Sequence, residues 1–331
     1  MTQQTSINDD TPLVSVVVPT YNCAPYLARA LHSVLDQTYT NLECIVIDDG
    51  STDDTPQILE AFGSRIHAIK QANAGASAAR NAGISAARGA YIAFLDADDY
   101  WLPMKIANQL EVFRKHPGLV LVSCDFTWAT SAEPATPAPP PYDVGPVRVF
   151  STLTQLLRNP YLGTPTVVVD SRAAKQVGGF DTNLPVGEDV DFYFRLCAGR
   201  TYARLDQPLA VFQRRPGSLT THIRGYSDNL EVLDRAERLL SDPTAEDYAL
   251  LTSLRLEVYQ NWIAALLNRG TGKEVRKILK QSRQTGRLSG YHIYYLKSLI
   301  IPALPALRSL RKMIMNSPAE GREASNERGP I

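Results

Sequence analysis

No apolar run in the chain reaches the eighteen or so residues needed to cross a bilayer. The opening segment, MTQQTSINDDTP, is polar and acidic and lacks the apolar core of a secretion signal. Cysteine is scarce: Cys23, Cys44, Cys124 and Cys197 are far apart, show no C-x-x-C spacing and mostly sit in apolar runs. They are expected to be reduced, buried thiols, which excludes a disulfide frame and a zinc site. Charge of one sign is also missing, since 34 Lys and Arg balance 34 Asp and Glu. No overall field therefore argues for nucleic acid. These absences point to a cytoplasmic protein. The balance fails only locally, because Arg269–Lys312 holds eleven Lys or Arg against the single acid Glu274.

What the chain does have is organised around GAYIAFLDADDYWLP, Gly89–Pro103. Tyr91–Leu95 has the length and content of a buried strand, and it ends in Asp96, Asp98 and Asp99. Crowded carboxylates raise one another's pKa unless a cation or a set of donors sits among them. An oxygen-rich cluster without nitrogen or sulfur suits Mg²⁺ or Mn²⁺. A solvated acidic turn or a helix cap is the plainer reading of such a motif taken alone.

Further runs place this stretch in a sheet. Leu13–Pro19, Leu42–Ile47, Ile66–Ile69 and Val120–Cys124 are expected strands, and helical spacing follows the first three, over the segment from Pro25, Thr52–Phe62 and the Ala-rich stretch through Ala87. Strands alternating with helices at this spacing predict a doubly wound α/β fold, in which ligands bind beyond the carboxyl ends of the strands. Tyr21-Asn22, Asp48-Asp49 and Asp96–Asp99 all follow strand ends and should share one edge. Residues 130–147 are rich in proline and predict a loop without regular structure. A helix near Leu153–Arg158, a strand at Thr166–Val169 and a helix from Ser171 to Gly178-Gly179 come next. GEDVDFYFRLCAGR then predicts a helix with Glu188 and Asp189 in its first turn, where acids also favour the helix dipole. Ala203–Phe212 is an expected strand. From residue 225 the pattern becomes helical, at Tyr226–Leu240, Ala245–Leu267, Lys273–Gln281 and Tyr291–Lys312. The last of these mixes aromatic, aliphatic and basic residues and either packs on the domain or lies on an anionic membrane surface. The expected divisions are a disordered N-terminus at 1–11, an α/β domain at 12–224, a helical region at 225–315 and a disordered tail at 316–331.

Five motifs in order, VSVVVPTYN (14–22), IDDGSTDDT (47–55), NAGASAARNAG (73–83), FLDADDYW (94–101) and GGFDTNLPVGEDVDFYFRL (178–196), resemble the family 2 glycosyltransferases. That resemblance covers about residues 12–222. It implies a Rossmann-like GT-A domain with a mostly parallel central sheet, a nucleoside-diphosphate sugar as donor, and transfer of the sugar with inversion to a hydroxyl of a glycan, lipid-linked or surface-polysaccharide acceptor. Carried over by position, it places Pro19, Thr20 and Tyr21 beside the nucleobase, with Asp48 and Asp49 at the base or ribose. Arg80 would approach the phosphates, Asp96 and Ala97 the ribose, and Asp98 the Mg²⁺ or Mn²⁺ that bridges the diphosphate. Asp189 would be the general base and Glu188 would orient the acceptor.

The chain lacks the Q-x-x-R-W motif and the membrane spans of processive synthases, so it resembles the non-processive type. In place of the Arg-x-His of many shorter members it has Gln213-Arg214-Arg215, where Arg215 would contact phosphate. Two other classes make different demands on the sequence. A nucleotidyltransferase would need a glycine-rich loop after the first strand, which Tyr21-Asn22-Cys23-Ala24 is not. A catalytically silent nucleotide-sugar-binding or scaffold protein of the same fold would be favoured by replacement of the acids at 98 or 189, and both are present.

Overall fold

The computed structural model describes residues 11–129, 144–158, 162–213 and 225–285. They fall into two compact units, residues 1–251 and 252–331. The first is built on a sheet of nine strands, β1 (Val14–Thr20), β2 (Leu42–Asp48), β3 (His67–Lys70), β4 (Tyr91–Phe94), β5 (Tyr100–Trp101), β6 (Leu119–Ala129), β7 (Val147–Phe150), β8 (Val167–Asp170) and β9 (Thr201–Gln213). Their spatial order is β3-β2-β1-β4-β8-β6-β9-β5, with β7 paired to β9. The run β3-β2-β1-β4 is parallel throughout, β8 lies antiparallel between β4 and β6, and β6 and β9 run parallel.

The parallel half follows from its sequence. Val14, Val16, Val17 and Val18 are fully buried, as are Ile45, Val46 and Ile47, so these strands are covered on both faces. Helices α1 (Ala24–Leu35), α2 (Thr55–Phe62) and α3 (Ala76–Ala86) are the crossovers. Helix α3 comes very close to β1, because a Cβ added at Gly83 would meet Val17 Cγ1 at 2.2 Å. Each expected strand and helix of this half is found, with ends displaced by up to three residues.

Differences appear in the other half. Helix α4 (Lys105–Lys115) was not expected, because Lys105, Asn108 and Gln109 lie on its buried side and break the apolar period. Lys105 donates to Gln109 Oε1 at 2.7 Å and lies over the Trp101 ring, and its burial lowers its pKa to about 8. Strand β6 runs on to Ala129, beyond the expected Cys124, and Val147, the last residue of the expected loop, begins β7. Residues 130–143, most of that loop, lie outside the described residues.

Helices α5 (Leu153–Arg158), α6 (Ser171–Gln176), α7 (Glu188–Cys197) and α8 (Gly225–Leu239) complete the first unit with the start of α9 (Ala245–Asn268). In the second unit, α10 (Gly272–Thr285) buries Val275, Ile278 and Leu279 and exposes Lys273, Lys277, Lys280 and Arg283. The expected helix at Tyr291–Lys312 and the tail lie outside the described residues. No helix among the described residues is long and apolar enough to cross a membrane. All four cysteines are buried and unbridged.

Candidate active site

Parallel pairing brings the ends of β2, β1 and β4 side by side. Thr20 is level with Asp48, and the Asp49 N–H donates to the Thr20 carbonyl at 2.9 Å. The three polar clusters therefore share one edge, as their sequence positions predict. Asn22, at φ 48°, turns the chain after β1, and its side chain accepts from Thr52 N at 2.8 Å while its own N–H donates to Ser51 Oγ at 3.0 Å. This ties the loop after β1 to the loop after β2. Tyr21 is 48 % exposed, Pro19 is half-buried, and the buried Thr20 Oγ1 has no hydrogen-bond partner. A buried hydroxyl without a partner costs stability unless a ligand completes it.

Asp48 and Asp49 are both buried and already engaged. Asp48 accepts from Ser51 N at 2.9 Å. Asp49 accepts from Gln71 Nε2 at 2.7 Å, Ala74 N at 2.9 Å and Gly75 N at 2.8 Å, which takes three of about four acceptor positions. Its carboxylate thereby fixes the chain entering α3, and with it Arg80.

Arg80 is the centre of the site. Its Nη2 donates to Asp96 Oδ1 and its Nη1 to Glu188 Oε1, both at 2.8 Å, with the guanidinium 7 % exposed and 5.2 Å from the Phe180 ring centroid. Burial alone would weaken its charge, but Asp96 and Glu188 raise its pKa further, so it stays cationic. In this structure Arg80 thus joins the end of β4 to the first turn of α7 and is not presented to solvent. Asp96 remains 30 % exposed beside this bond, and Ala97 is buried behind it.

Helix α7 is held there by packing. Phe180 and Phe192 stack at 4.4 Å, and Phe94 meets both edge-on. Gly178 and Gly179, at φ 81° and 69°, turn the chain into Phe180, whose N–H donates to Asn81 Oδ1 at 2.8 Å. Asp191, 1 % exposed, is bound by Arg195 and Arg235, and Arg235 on α8 also holds Asp181. Asn81 and Arg235 are site supports that local sequence did not single out. Asn81 does stand next to Arg80 in a recognised motif, whereas Arg235 carries no such signal.

The geometry sets Asp189 apart from the other acids. Half-buried, it meets Val190 N at 2.8 Å, and its pKa is pushed up to about 6 by burial first and the Glu188 charge second, against the pull of Arg80. Such a carboxylate is ionised at neutral pH and is a stronger base than an ordinary aspartate. Asp99 accepts from Gln213 N at 2.8 Å, and the half-buried Asp98 lies between it and Asp96 in sequence. Arg29 spans from the Asp98 carbonyl, at 3.4 Å, to Gln213 Oε1, at 2.9 Å. Arg214 and Arg215 lie outside the described residues. A separate cleft of about 460 Å³, lined by Tyr91, Phe113, Asp170 and Arg172 among others, opens at the opposite ends of β4 and β8, away from these acids.

This arrangement of strands and helices is that of the GT-A fold. Over 89 % of this chain and 92 % of the other, it superposes on TarS residues 1–349 of S. aureus in complex with UDP-GlcNAc, with a TM-score of 0.61 at 18 % identity. It also superposes on a mannosyltransferase from Pyrobaculum calidifontis in complex with GDP-Man and Mn²⁺, over 91 % and 88 % of the two chains, with a TM-score of 0.55 at 20 % identity. Residues 15–134 match the family described as Glycosyl transferase family 2, so that stretch is a domain of this family. It is 36 % identical to the putative teichuronic acid biosynthesis glycosyltransferase TuaG of Bacillus subtilis, over 50 % of this chain and 65 % of that protein. It is 48 % identical to WfaP of Escherichia coli, described as a UDP-Glc:alpha-D-GlcNAc-diphosphoundecaprenol beta-1,3-glucosyltransferase, over 30 % and 40 % of the two chains. The chain spans less than two thirds of the length of these curated relatives. The family match ends before α7, so the placing of Glu188 and Asp189 rests on the structure and the sequence motif.

Proposed function

We propose that the protein transfers one sugar, with inversion, from a nucleoside-diphosphate sugar to a hydroxyl of a glycan or lipid-linked acceptor. The observation that carries this is the Arg80 bridge, which brings the β4 acids and the α7 acids to one point. In the proposed reaction the acceptor hydroxyl gives its proton to Asp189, its oxygen bonds to the anomeric carbon, and the bond from that carbon to phosphate breaks, releasing a nucleoside diphosphate. No enzyme nucleophile is needed. Glu188, held by Arg80, stands beside Asp189 and helps to raise that residue's basicity. Thr20 and Tyr21 would flank the base, Asp49 would reach the base or ribose through its remaining acceptor position, and Asp96 would meet the ribose with its exposed edge. Arg215 would contact phosphate.

Among the described residues there is no group of three or more His, Cys, Asp or Glu that holds a metal by itself. Mg²⁺ or Mn²⁺ carried largely by a diphosphate needs only one or two protein carboxylates, and the half-buried Asp98 at the strand edge fits that demand. When bound, such an ion would neutralise charge developing on the leaving diphosphate. The names of WfaP and TuaG support a cell-envelope acceptor. Work at the cytoplasmic side of a membrane is consistent with the basic face of α10.

Calorimetry with UDP, GDP, dTDP and CMP, with and without Mn²⁺, tests the donor site. One diphosphate should bind selectively, more tightly with Mn²⁺, and lose that metal dependence in Asp98→Ala. Folded wild-type protein that binds none of them would sink the proposal.

A further inference from the structure

Helix α1 meets the acidic turn through a polar stripe. Arg29 and Ser33 lie one turn apart on the helix, and Gln37 and Thr38 follow just past its end. All four bond to the backbone that leaves the turn. Arg29 Nη2 donates to the Asp98 carbonyl at 3.4 Å, and Ser33 Oγ accepts from Trp101 N at 3.1 Å. Gln37 Nε2 donates to the Leu102 carbonyl at 2.8 Å, and Thr38 N to the Pro103 carbonyl at 2.9 Å.

Strand β9 holds the same backbone. Tyr100 and Trp101 pair with Val211 and Ala210, Leu102 N donates to the Leu209 carbonyl at 2.9 Å, and Asp99 accepts from Gln213 N at 2.8 Å. Arg29 closes this frame beside Asp98. The Nη2 that reaches the Asp98 carbonyl also donates to Gln213 Oε1 at 2.9 Å, and the guanidinium carbon lies 4.4 Å from the Tyr100 ring centroid. Its Nε is buried and has no hydrogen-bond partner among the described residues, a cost that a cation free to turn into solvent would avoid. One side chain thus ties α1, the acidic turn and the end of β9 together.

We infer that Arg29 is a positioning residue for the cation seat at Asp98: it fixes the backbone that carries this carboxylate and meets neither the cation nor the diphosphate. The inference rests on the sugar-transfer reading with Mg²⁺ or Mn²⁺ and adds to it the part that holds the seat in place. A seat with one protein carboxylate has no second ligand to correct a misplaced first, so a shift of the turn weakens the ion directly. A guanidinium has no lone pair to offer a metal, and the bonds of this one run to Gln213 and the Asp98 carbonyl. The residues expected at the nucleobase and ribose are held by other bonds. Asn22 ties to Ser51 and Thr52, and Asp49 to Gln71, Ala74 and Gly75, none of which involves Arg29. Loss of Arg29 should therefore be felt through the metal and not through the nucleoside.

Calorimetry on the full chain with UDP, GDP, dTDP and CMP, each in Mn²⁺ and in EDTA, tests this. For a nucleotide that binds the wild type, the gain in affinity from Mn²⁺ should fall about tenfold in Arg29→Met, the lower end of what losing the support of a metal ligand costs. Affinity in EDTA should stay the same. Arg29→Lys, which can still donate to one of the two acceptors, should recover part of the gain. Hydrogen exchange on the same samples should quicken at the Trp101 and Gln213 amides and stay unchanged at Asp49, whose N–H is bonded to Thr20. If Arg29→Met fails to fold, Ser33→Ala, which frees only the Trp101 N–H from α1, carries the test with the same expectation. An unchanged Mn²⁺ gain overturns the role. A larger gain overturns it too, since Arg29 would then act as a competing positive charge, and so does an equal loss in Mn²⁺ and EDTA, which would mark a direct nucleotide contact or general support. Wild-type protein that binds a nucleotide equally well with and without Mn²⁺ would sink the cation seat and this inference while leaving sugar transfer standing. Folded wild-type protein that binds no nucleotide would sink the sugar-transfer reading itself.

Discussion

Replacing Asp189 by Asn separates the cost of the candidate base from its use. The side chain keeps its shape, and its amide oxygen can still accept from Val190 N. What disappears is a half-buried negative charge beside Glu188. A rise from the ordinary 3.8 to about 6 corresponds to about 3 kcal/mol, which partial solvent screening reduces to about 1–2 kcal/mol. The sign follows from linkage. Because the folded-state pKa is the higher one, the folded protein holds the proton that the unfolded chain gives up, so stability is lost as pH rises from about 4 to 6. Asp189→Asn should therefore match the wild type near pH 4 and be more stable above pH 6, with a melting temperature about 2–6 °C higher at pH 7.5. Sugar transfer should fall at least about a hundredfold at that pH, the usual contribution of a general base. In the wild type kcat/KM should drop below an apparent pKa near 6, and that acid limb should be missing from the residual activity of the variant. A variant that is no more stable at pH 7.5 than at pH 4, relative to the wild type, would refute the assigned burial. A variant with wild-type turnover would refute the role.

Two other substitutions test the supports of the site. Arg80→Ala leaves Asp96 and Glu188 without their shared cation, and urea unfolding should show a loss of about 2–4 kcal/mol. Arg80→Lys, unable to reach both acids with a planar fork, should recover less than half of it, and an unchanged midpoint in the alanine variant would show that the bridge adds nothing. Thr20→Val removes a buried hydroxyl that has no partner and should leave stability equal or up to about 1 kcal/mol higher. It should weaken nucleotide binding about tenfold by calorimetry, whereas unchanged affinity would show that the hydroxyl meets no ligand.

The parallel half of the fold was legible because its signals are local. Val-rich runs end in polar residues at Thr20, Asp48 and Asp96, and neighbouring parallel strands necessarily bring those ends together. Helix α4 was not legible, since a buried Lys105 bonded to Gln109 looks polar in sequence and apolar only in its packing against Trp101. The bridge was legible only in its parts. Arg80 and Glu188 both lie in recognised motifs, yet 108 residues separate them, and nothing local says that the arginine would reach for α7 instead of pointing toward phosphate. Arg235 is the same case without a motif. It fixes Asp181 and Asp191 from a helix that by periodicity belongs to a separate region, but that packs with the first unit.

The bridge also bears on the question of a cation. Asp96, Asp98, Glu188 and Asp189 bring four carboxylates to the carboxyl edge, and Arg80 is bonded to two of them, Asp96 and Glu188. A diphosphate would arrive at these acids with negative charge of its own. Coulomb repulsion at a few ångströms, in a partly buried site, amounts to several kcal/mol. Arg80 cannot remove it by turning to the phosphates, since each bond it leaves exposes an acid it now neutralises. A cation that accompanied the donor would offset that repulsion. A divalent ion seated on Asp98 would meet this need with one carboxylate and the donor's own oxygens, whereas Arg80 alone would have to leave Asp96 or Glu188 to receive the diphosphate.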